Sequence, residues 1–319
     1  MTAELDVKYN ESSFTSHLDG KQIFYREWTP PAGSGPRAVV QITHGICEHS
    51  GRYDRFARYL SARGYAVAAL DLRGHGRTAG EAGLGQAGLT AWADMLGDIA
   101  QLSNLALESY GGLPLIAFGH SMGSALTQAH IQACGHLLAG AVLCGTMGAL
   151  PGIDDEVLGQ LKAAAHSADA NQPSAILADV LKAFNAPFEQ AGRPPTGCEW
   201  MTADQTEVQR FLDDELCGKP FSNSMMYSVA EGFRNLWITQ NESRIPIDLP
   251  ILIVAGTRDP VGASTHSIQS LITRYMKQGH LALAYRFYPG DRHEILNDRN
   301  KDLVHYDIAS WLGAVLNRR

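Results

Sequence analysis

Apolar and polar positions along the chain alternate between short apolar runs and longer segments with helical spacing. Ala38–Thr43, Ala66–Leu70, Leu113–Gly119 and Ala139–Cys144 are strand-sized runs, and Tyr53–Arg63, Thr90–Ser109 and Met122–Gly135 carry the helical period between them. Apolar runs separated by helices predict βαβ units around a mostly parallel sheet buried on both faces. Upstream, Phe14–His17 and Gln22–Trp28 flank Asp19-Gly20, a hairpin signal, and Pro30–Pro36 reads as a loop. The pattern stops at Met147 and resumes with the strand Leu249–Gly256, the helix Ser267–Gln278, the strand Ala282–Tyr288 and the closing helix Leu303–Leu316. The fold class is α/β, an open, mostly parallel sheet with a helical insertion after its fifth or sixth strand.

Composition sharpens the insertion. Residues 151–244 hold 14 Asp/Glu against 7 Lys/Arg, so this stretch carries the whole net charge of −7. It also gathers Pro173, Pro187, Pro194 and Pro195 where strand-like runs are missing. The expected organisation is a core in two parts, 1–147 and 246–319, split by an inserted module, 148–245. A chain of 319 residues buries a sizeable core without staples. Its acidic balance excludes a nucleic-acid footprint. The longest apolar runs, such as Leu113–Phe118 and Leu249–Ala255, are too short to span a bilayer. Met1–Tyr9 lacks the basic-then-apolar pattern of a secretion signal. Five cysteines without a CxxC pair read as reduced thiols in a cytoplasmic protein. Cys134, Cys144, Cys198 and Cys217 read as small buried hydrophobes.

Chemistry enters at Gly119-His120-Ser121-Met122-Gly123, which joins an apolar run to a helical pattern. In that context Gly119 and Gly123 permit a sharp strand-to-helix turn that presents a strained, exposed serine. A serine hydroxyl needs a base, and the base needs an orienting carboxylate. Asp259 follows the run Leu249–Gly256, and His293 follows the run ending at Tyr288. All three therefore sit at the carboxyl edge of one sheet, where open α/β folds bind ligands. Asp291, two residues from His293, reads as shaping its own loop. Asp71 precedes Ser121 and breaks the chain order Ser, acid, His. A tetrahedral oxyanion needs two donors, and the backbone N–H groups of Met122 and Ile46 are the candidates. Gly45 lets the Ile46 backbone approach closely, while His44 and Glu48 shape that loop. His44, Glu48 and His49 match no metal-ligand spacing, and no HExxH helix occurs. Asp71–Arg77 (DLRGHGR) reads as a Gly-rich turn in which Arg73 tethers neighbouring loops.

With these motifs in hand, the chain resembles the monoglyceride lipase/lysophospholipase group of serine α/β-hydrolases. The matching segments run nearly end to end: HGICEHSGRYDRF (44–56), GYAVAALDLRGHGRT (64–78), GHSMGS (119–124), DDELCGKPFS (213–222), GTRDPVG (256–262) and YPGDRHEILND (288–298). The resemblance implies Ser121 as nucleophile, Asp259 and His293 as its relay, and Ile46 and Met122 as oxyanion donors. It further implies a helical lid between the sixth and seventh strands, no cofactor and no metal. The partner it implies is a small-molecule or lipid-like monoester, of monoacylglycerol or lysophospholipid type, with transient contact with a lipid surface. Small esters, thioesters and peptides use the same acyl chemistry, and a non-catalytic ligand-binding protein can share the scaffold. Dehalogenases and epoxide hydrolases of this fold use an Asp nucleophile, against which Ser121 speaks. One departure is Cys47, where the family's HGxGEH loop has Gly. Within the lid, Ile176, Val180 and Phe184, with Leu177 and Leu181, share helical spacing, as do Met226, Ala230, Phe233 and Trp237. These stripes either pack on each other or line an acyl pocket.

The charge of the insertion generates a prediction. An acidic lid repels anionic substrates, so neutral monoesters should be hydrolysed faster than esters with anionic head groups. Exposed charges are screened over ~10 Å at 0.1 M salt, so raising the salt should narrow that gap. A gap that is absent, or that widens with salt in kcat/KM measurements, counts against the lid charge as a selector.

Overall fold

The computed structural model describes residues 7–31, 33, 35–149 and 154–318. Residues 1–6, within the segment read for a secretion signal, lie outside them, as do residues 32 and 34 of the proline-rich loop and residues 150–153 near the start of the expected insertion. Eight strands form one sheet: β1 (Lys8–Thr15), β2 (Gln22–Thr29), β3 (Ala38–Thr43), β4 (Tyr65–Leu70), β5 (Leu115–His120), β6 (Gly140–Cys144), β7 (Ile251–Gly256) and β8 (Leu283–Tyr288). Their spatial order is β1-β2-β4-β3-β5-β6-β7-β8. β1 and β2 form the antiparallel hairpin and β2 runs antiparallel to β4; every other pairing is parallel.

The helices are α1 (Asp54–Ser61), α2 (Gly76–Ala79), α3 (Ala91–Ser109), α4 (Met122–Cys134), α5 (Asp155–Ala165), α6 (Ala175–Asn185), α7 (Gln205–Asp213), α8 (Asn223–Leu236), α9 (Thr239–Glu242), α10 (His266–Lys277) and α11 (Lys301–Leu316). Strands β3 to β7 are buried along their whole length, because helices cover both faces. The pleat sorts their side chains. Val40, Ile42, Phe118 and Val254 face Phe56 and Leu60 of α1 and Ile308 and Leu312 of α11. Val39, Ala117, Leu143 and Ile253 face Ile131 of α4 and Ile268 and Leu271 of α10.

The alternating runs thus become the observed strands with small shifts at their ends. β5 begins at Leu115 rather than Leu113, with Pro114 reduced to accepting a hydrogen bond from the Val39 N–H (2.9 Å). β1 extends back to Lys8, well before the apolar run at Phe14, because an edge strand keeps most of its side chains in water and so shows no apolar pattern. Arg73 ties its turn to the core: it donates to Asp98 (2.7 Å) and to Asp19 in the hairpin loop (2.6 Å).

Helices α5 to α9 follow β6, the sixth strand. The starts of α5 to α8 are set by side-chain caps: Asp154, Ser174, Asp204 and Ser222 accept hydrogen bonds from the first-turn N–H groups of α5, α6, α7 and α8. Leu161, Leu177, Met225 and Val229 of this segment pack on Met95, Ile99 and Leu126 of α3 and α4. Backbone bonds stitch it to the sheet side of the molecule: Gly218 N–H to Cys47 O (2.8 Å), Ser222 N–H to Gly85 O (2.9 Å) and Glu294 N–H to Met201 O (2.7 Å). No helix among the described residues is long and apolar enough to cross a membrane.

Candidate active site

Ser121 stands alone between the end of β5 and the start of α4, with φ 56° and ψ −125°. A left-handed backbone at a residue with a Cβ costs roughly 1–2 kcal/mol, so its surroundings must enforce it. Two glycines do so. A Cβ on Gly119 would collide with the Gly123 carbonyl and the Thr127 hydroxyl, and a Cβ on Gly123 with the carbonyls of Thr43 and His44. The turn is then pinned by the Ser121 N–H donating to Cys144 O (3.0 Å) and the Ser124 hydroxyl donating to Ser121 O (2.6 Å).

His293 and Asp259 meet beside it. His293 Nδ1 lies 3.0 Å from both carboxylate oxygens of Asp259, and Oδ1 also accepts from the Val261 N–H (2.9 Å). With Nδ1 donating, Nε2 carries the lone pair, and this buried atom has no hydrogen-bond partner among the described residues. Burial alone would depress the imidazole, but the charge and hydrogen bond of Asp259, with the Glu294 and Glu48 charges, together outweigh it and the His293 pKa is raised. The ring contacts those of Trp200 (centroids 4.9 Å apart, planes at 31°) and His120 (4.6 Å, 41°). Burial and then the facing His293 push His120 down to about 4, so it stays neutral.

The loop after β3 is held by buried polar groups. His44 Nδ1 donates to Gly45 O (2.8 Å) while its Nε2 accepts from the Leu72 N–H (3.0 Å), which assigns one neutral tautomer. Glu48 accepts from the Gly45 N–H (2.6 Å), the Tyr53 hydroxyl (2.7 Å) and Arg52 (2.7 Å). Arg52 also makes a two-pronged pair with Glu294 (2.6 and 2.8 Å). Burial would raise both carboxyls, yet Arg52 holds Glu48 and Glu294 below the ordinary carboxylate range. Cys47 itself has φ 55°, the left-handed region where glycine sits without strain. Burial and then Glu48 push its thiol up to about 12.

Two cavities meet at Ser121. The larger, about 500 Å³, is almost wholly apolar and is bordered by Ile46 and Met122 as well as Ser121. The smaller, about 250 Å³, is bordered by His293, Cys47, Cys198, Glu48 and Glu294 as well as Ser121. Of the expected apolar wall, the structure brings Ile176, Val180, Phe184, Met226 and Phe233 to the larger cavity. Trp237 is a correction: it is not among that cavity's lining residues. Its indole N–H is committed to Gln128 (3.2 Å), and its ring packs on the cluster around Met147 and Val261. Trp200 borders both cavities and escaped sequence reasoning because it lies in a loop without periodicity. The rival acids are elsewhere engaged. Asp71 receives Arg26 (3.1 Å), the Ser50 N–H (2.9 Å) and the Arg77 N–H (2.8 Å), and Asp291 receives Asn300 (2.8 Å).

Among the described residues, one group has donor atoms close enough to share a cation: those of His49, Asp214 and Cys217 lie within 4.8 Å of one another. His49 Nδ1 accepts from the Gly51 N–H (3.1 Å), so Nε2 keeps its proton and donates to Asp214 (2.8 Å). Burial, above all, raises the Cys217 thiol far above the thiolate range. A cation would have to displace both protons.

Residues 34–300 match the family model described as serine aminopeptidase, S33. The chain is 29% identical over 313 residues to a monoacylglycerol lipase of Mycolicibacterium smegmatis, covering 95% of this chain and 96% of that one. It is 33% identical to the Homo sapiens monoglyceride lipase over 120 residues, 38% of each chain. A thermostable carboxyl esterase from Bacillus coagulans, solved with glycerol, superposes with a TM-score of 0.87 at 29% identity, covering 97% of this chain and 99% of the esterase. A soluble variant of the Saccharomyces cerevisiae monoglyceride lipase shares the fold, with a TM-score of 0.69 at 20% identity over 99% of this chain and 97% of that one.

Asp291 supplies a test that is independent of catalysis. Burial and then the Asp298 charge raise its carboxyl to about 6 from an ordinary 3.8. A raised native pKa favours folding below the unfolded value, and that contribution is lost as pH climbs through about 6. Asp291→Asn should therefore gain stability over wild type, on the order of 1–3 kcal/mol, at pH 7–8 and lose that advantage near pH 4. Urea unfolding at both pH values checks this; an advantage that is absent or independent of pH contradicts it.

Proposed function

The chain belongs to the serine aminopeptidase S33 family of α/β-hydrolases, and on that premise we propose that it hydrolyses lipid-like monoesters through an acyl-serine at Ser121. The carrying observation is the arrangement of His293: Nδ1 held at 3.0 Å by Asp259, Nε2 without a hydrogen-bond partner among the described residues, and Ser121 on the wall of the same cavity. In this reading His293 Nε2 takes the Ser121 proton as Oγ attacks the ester carbonyl. Asp259 keeps the imidazole in the required tautomer and offsets the charge it gains. The N–H groups of Ile46 and Met122, on the cavity that Ser121 borders, receive the oxyanion. His293 returns the proton to the departing alcohol, and water then releases the acid by the same steps.

The cavities divide the substrate. The larger one suits an acyl chain, because its wall is apolar apart from Asp179 and Ser121 itself. The smaller one, which His293 borders, suits the alcohol that His293 protonates. We assign residues 148–245 as the lid that roofs both. The five free thiols fit a reducing, cytoplasmic setting.

Labelling tests the nucleophile. A fluorophosphonate should modify the intact protein once, at Ser121, whereas a passive binding protein stays unlabelled. Ser121→Ala should lower turnover by ~10⁶ and Asp259→Asn by ~10⁴. A clean Ser121→Ala protein that keeps more than a few per cent of wild-type esterase activity overturns the assignment.

Acyl-chain dependence tests the larger cavity. A buried methylene contributes ~0.8 kcal/mol, about fourfold in kcat/KM. Rates on p-nitrophenyl esters should climb from acetate to roughly hexanoate or octanoate on that basis and then level off. Phe233→Ala should flatten the climb more than it slows acetate. If acetate proves the best substrate, the cavity is not an acyl site.

A further inference from the structure

We propose that Trp200, carried by the insertion, is a positioning residue for this reaction: its indole lies against the His293 ring and steadies the imidazolium formed when Ser121 gives up its proton. The proposal rests on the Ser121–His293–Asp259 reading above. The indole and imidazole centroids are 4.9 Å apart with planes tilted at 31°, and Trp200 is 6% exposed. An aromatic face is electron-rich and attracts a cation held over it, Trp more than Phe or Tyr, and most where water is excluded.

The backbone around Trp200 is built to hold that contact. The Trp200 N–H donates to Asn185 Oδ1 (3.1 Å), and Asn185 Nδ2 donates to Glu199 (2.8 Å). The residues on either side of His293 are sewn to those around Trp200. Arg292 donates to the carbonyls of Glu199 and Thr202, and the Glu294 N–H donates to Met201 O (2.7 Å). Trp200 and His293 are thus aligned by bonds on both sides of each, and Phe184 backs the indole at 5.4 Å. A residue that merely walled a cavity would need none of this alignment.

The charged and titratable groups acting on His293 are Asp259, Glu294, Glu48 and the neutral His120, all on the sheet side of the molecule. The Cys47 thiol and, from the insertion, the Cys198 thiol border the same cavity; Trp200 is the insertion's ring contact to His293. Because that contact favours the protonated ring, its removal lowers the pH at which His293 becomes a base and raises the barrier to forming the imidazolium.

The experiment measures kcat and KM for p-nitrophenyl butyrate from pH 5 to 9 in wild type, Trp200→Leu and Trp200→Phe, with thermal melts of each. Trp200→Leu should lose about tenfold in kcat, and the acidic limb of its kcat/KM profile should move down by roughly half to one pH unit. Trp200→Phe should recover most of both. An acidic limb unmoved in a folded Trp200→Leu, or loss confined to KM, overturns the proposal. Should Trp200→Leu fail to fold, fluorinated tryptophan incorporated at all five Trp positions weakens the aromatic face without changing its shape. The acidic limb should then fall in the wild-type chain and stay in place in Trp200→Phe; equal shifts in the two overturn the proposal. A wild-type protein that resists fluorophosphonate defeats the triad reading itself, which separates that failure from this one.

Discussion

The turn at Ser121 is the constraint from which the rest of the molecule can be read. A buried parallel strand must become a helix within one residue, and that residue must take a backbone conformation its own Cβ disfavours. Only close packing on both sides holds it there. The β3 carbonyls crowd one flank and α4 the other, so that neither Gly119 nor Gly123 has room for a side chain. The central position of β5 between β3 and β6 supplies that crowding.

The second feature is a cluster of charge placed where charge is costly. Arg52 is bonded to both Glu48 and Glu294 beside the site, and each ion is too buried to stand alone. Such a cluster is a poor source of net stability. Its geometric consequence is larger: one guanidinium joins the loop that carries Ile46 to the loop that carries His293. The proposed oxyanion donor and the proposed base are thereby set at a fixed separation, although 247 positions separate them in the chain. Cys47 sits inside this arrangement at a positive φ, so the loop keeps a glycine-like backbone while adding a thiol to the smaller cavity.

The insertion contributes in two ways. Its helices close an apolar cavity over the carboxyl edge of the sheet. Its irregular stretch around residues 196–202 is bonded to the His293 loop itself. A segment that looks like a cover in the chain is therefore also part of the wall against which His293 is seated.

The sequence by itself determined the α/β class, the hairpin, the strand runs, the sixth-strand position as one of two for the insertion, and the trio Ser121, Asp259 and His293 as candidates. Those features are local: apolar periodicity, an Asp-Gly turn and two glycines around a serine act through neighbours a few residues away. Tertiary structure decided what depends on distant partners. β1 runs to Lys8 because an edge strand needs pairing rather than an apolar face. Trp237 leaves the cavity because Gln128, 109 positions away, accepts its indole N–H. Trp200 reaches His293 because hydrogen bonds across 93 and 90 positions bring two loops together. No periodicity in the chain records such bonds, since they exist only once the sheet has set the loop ends side by side.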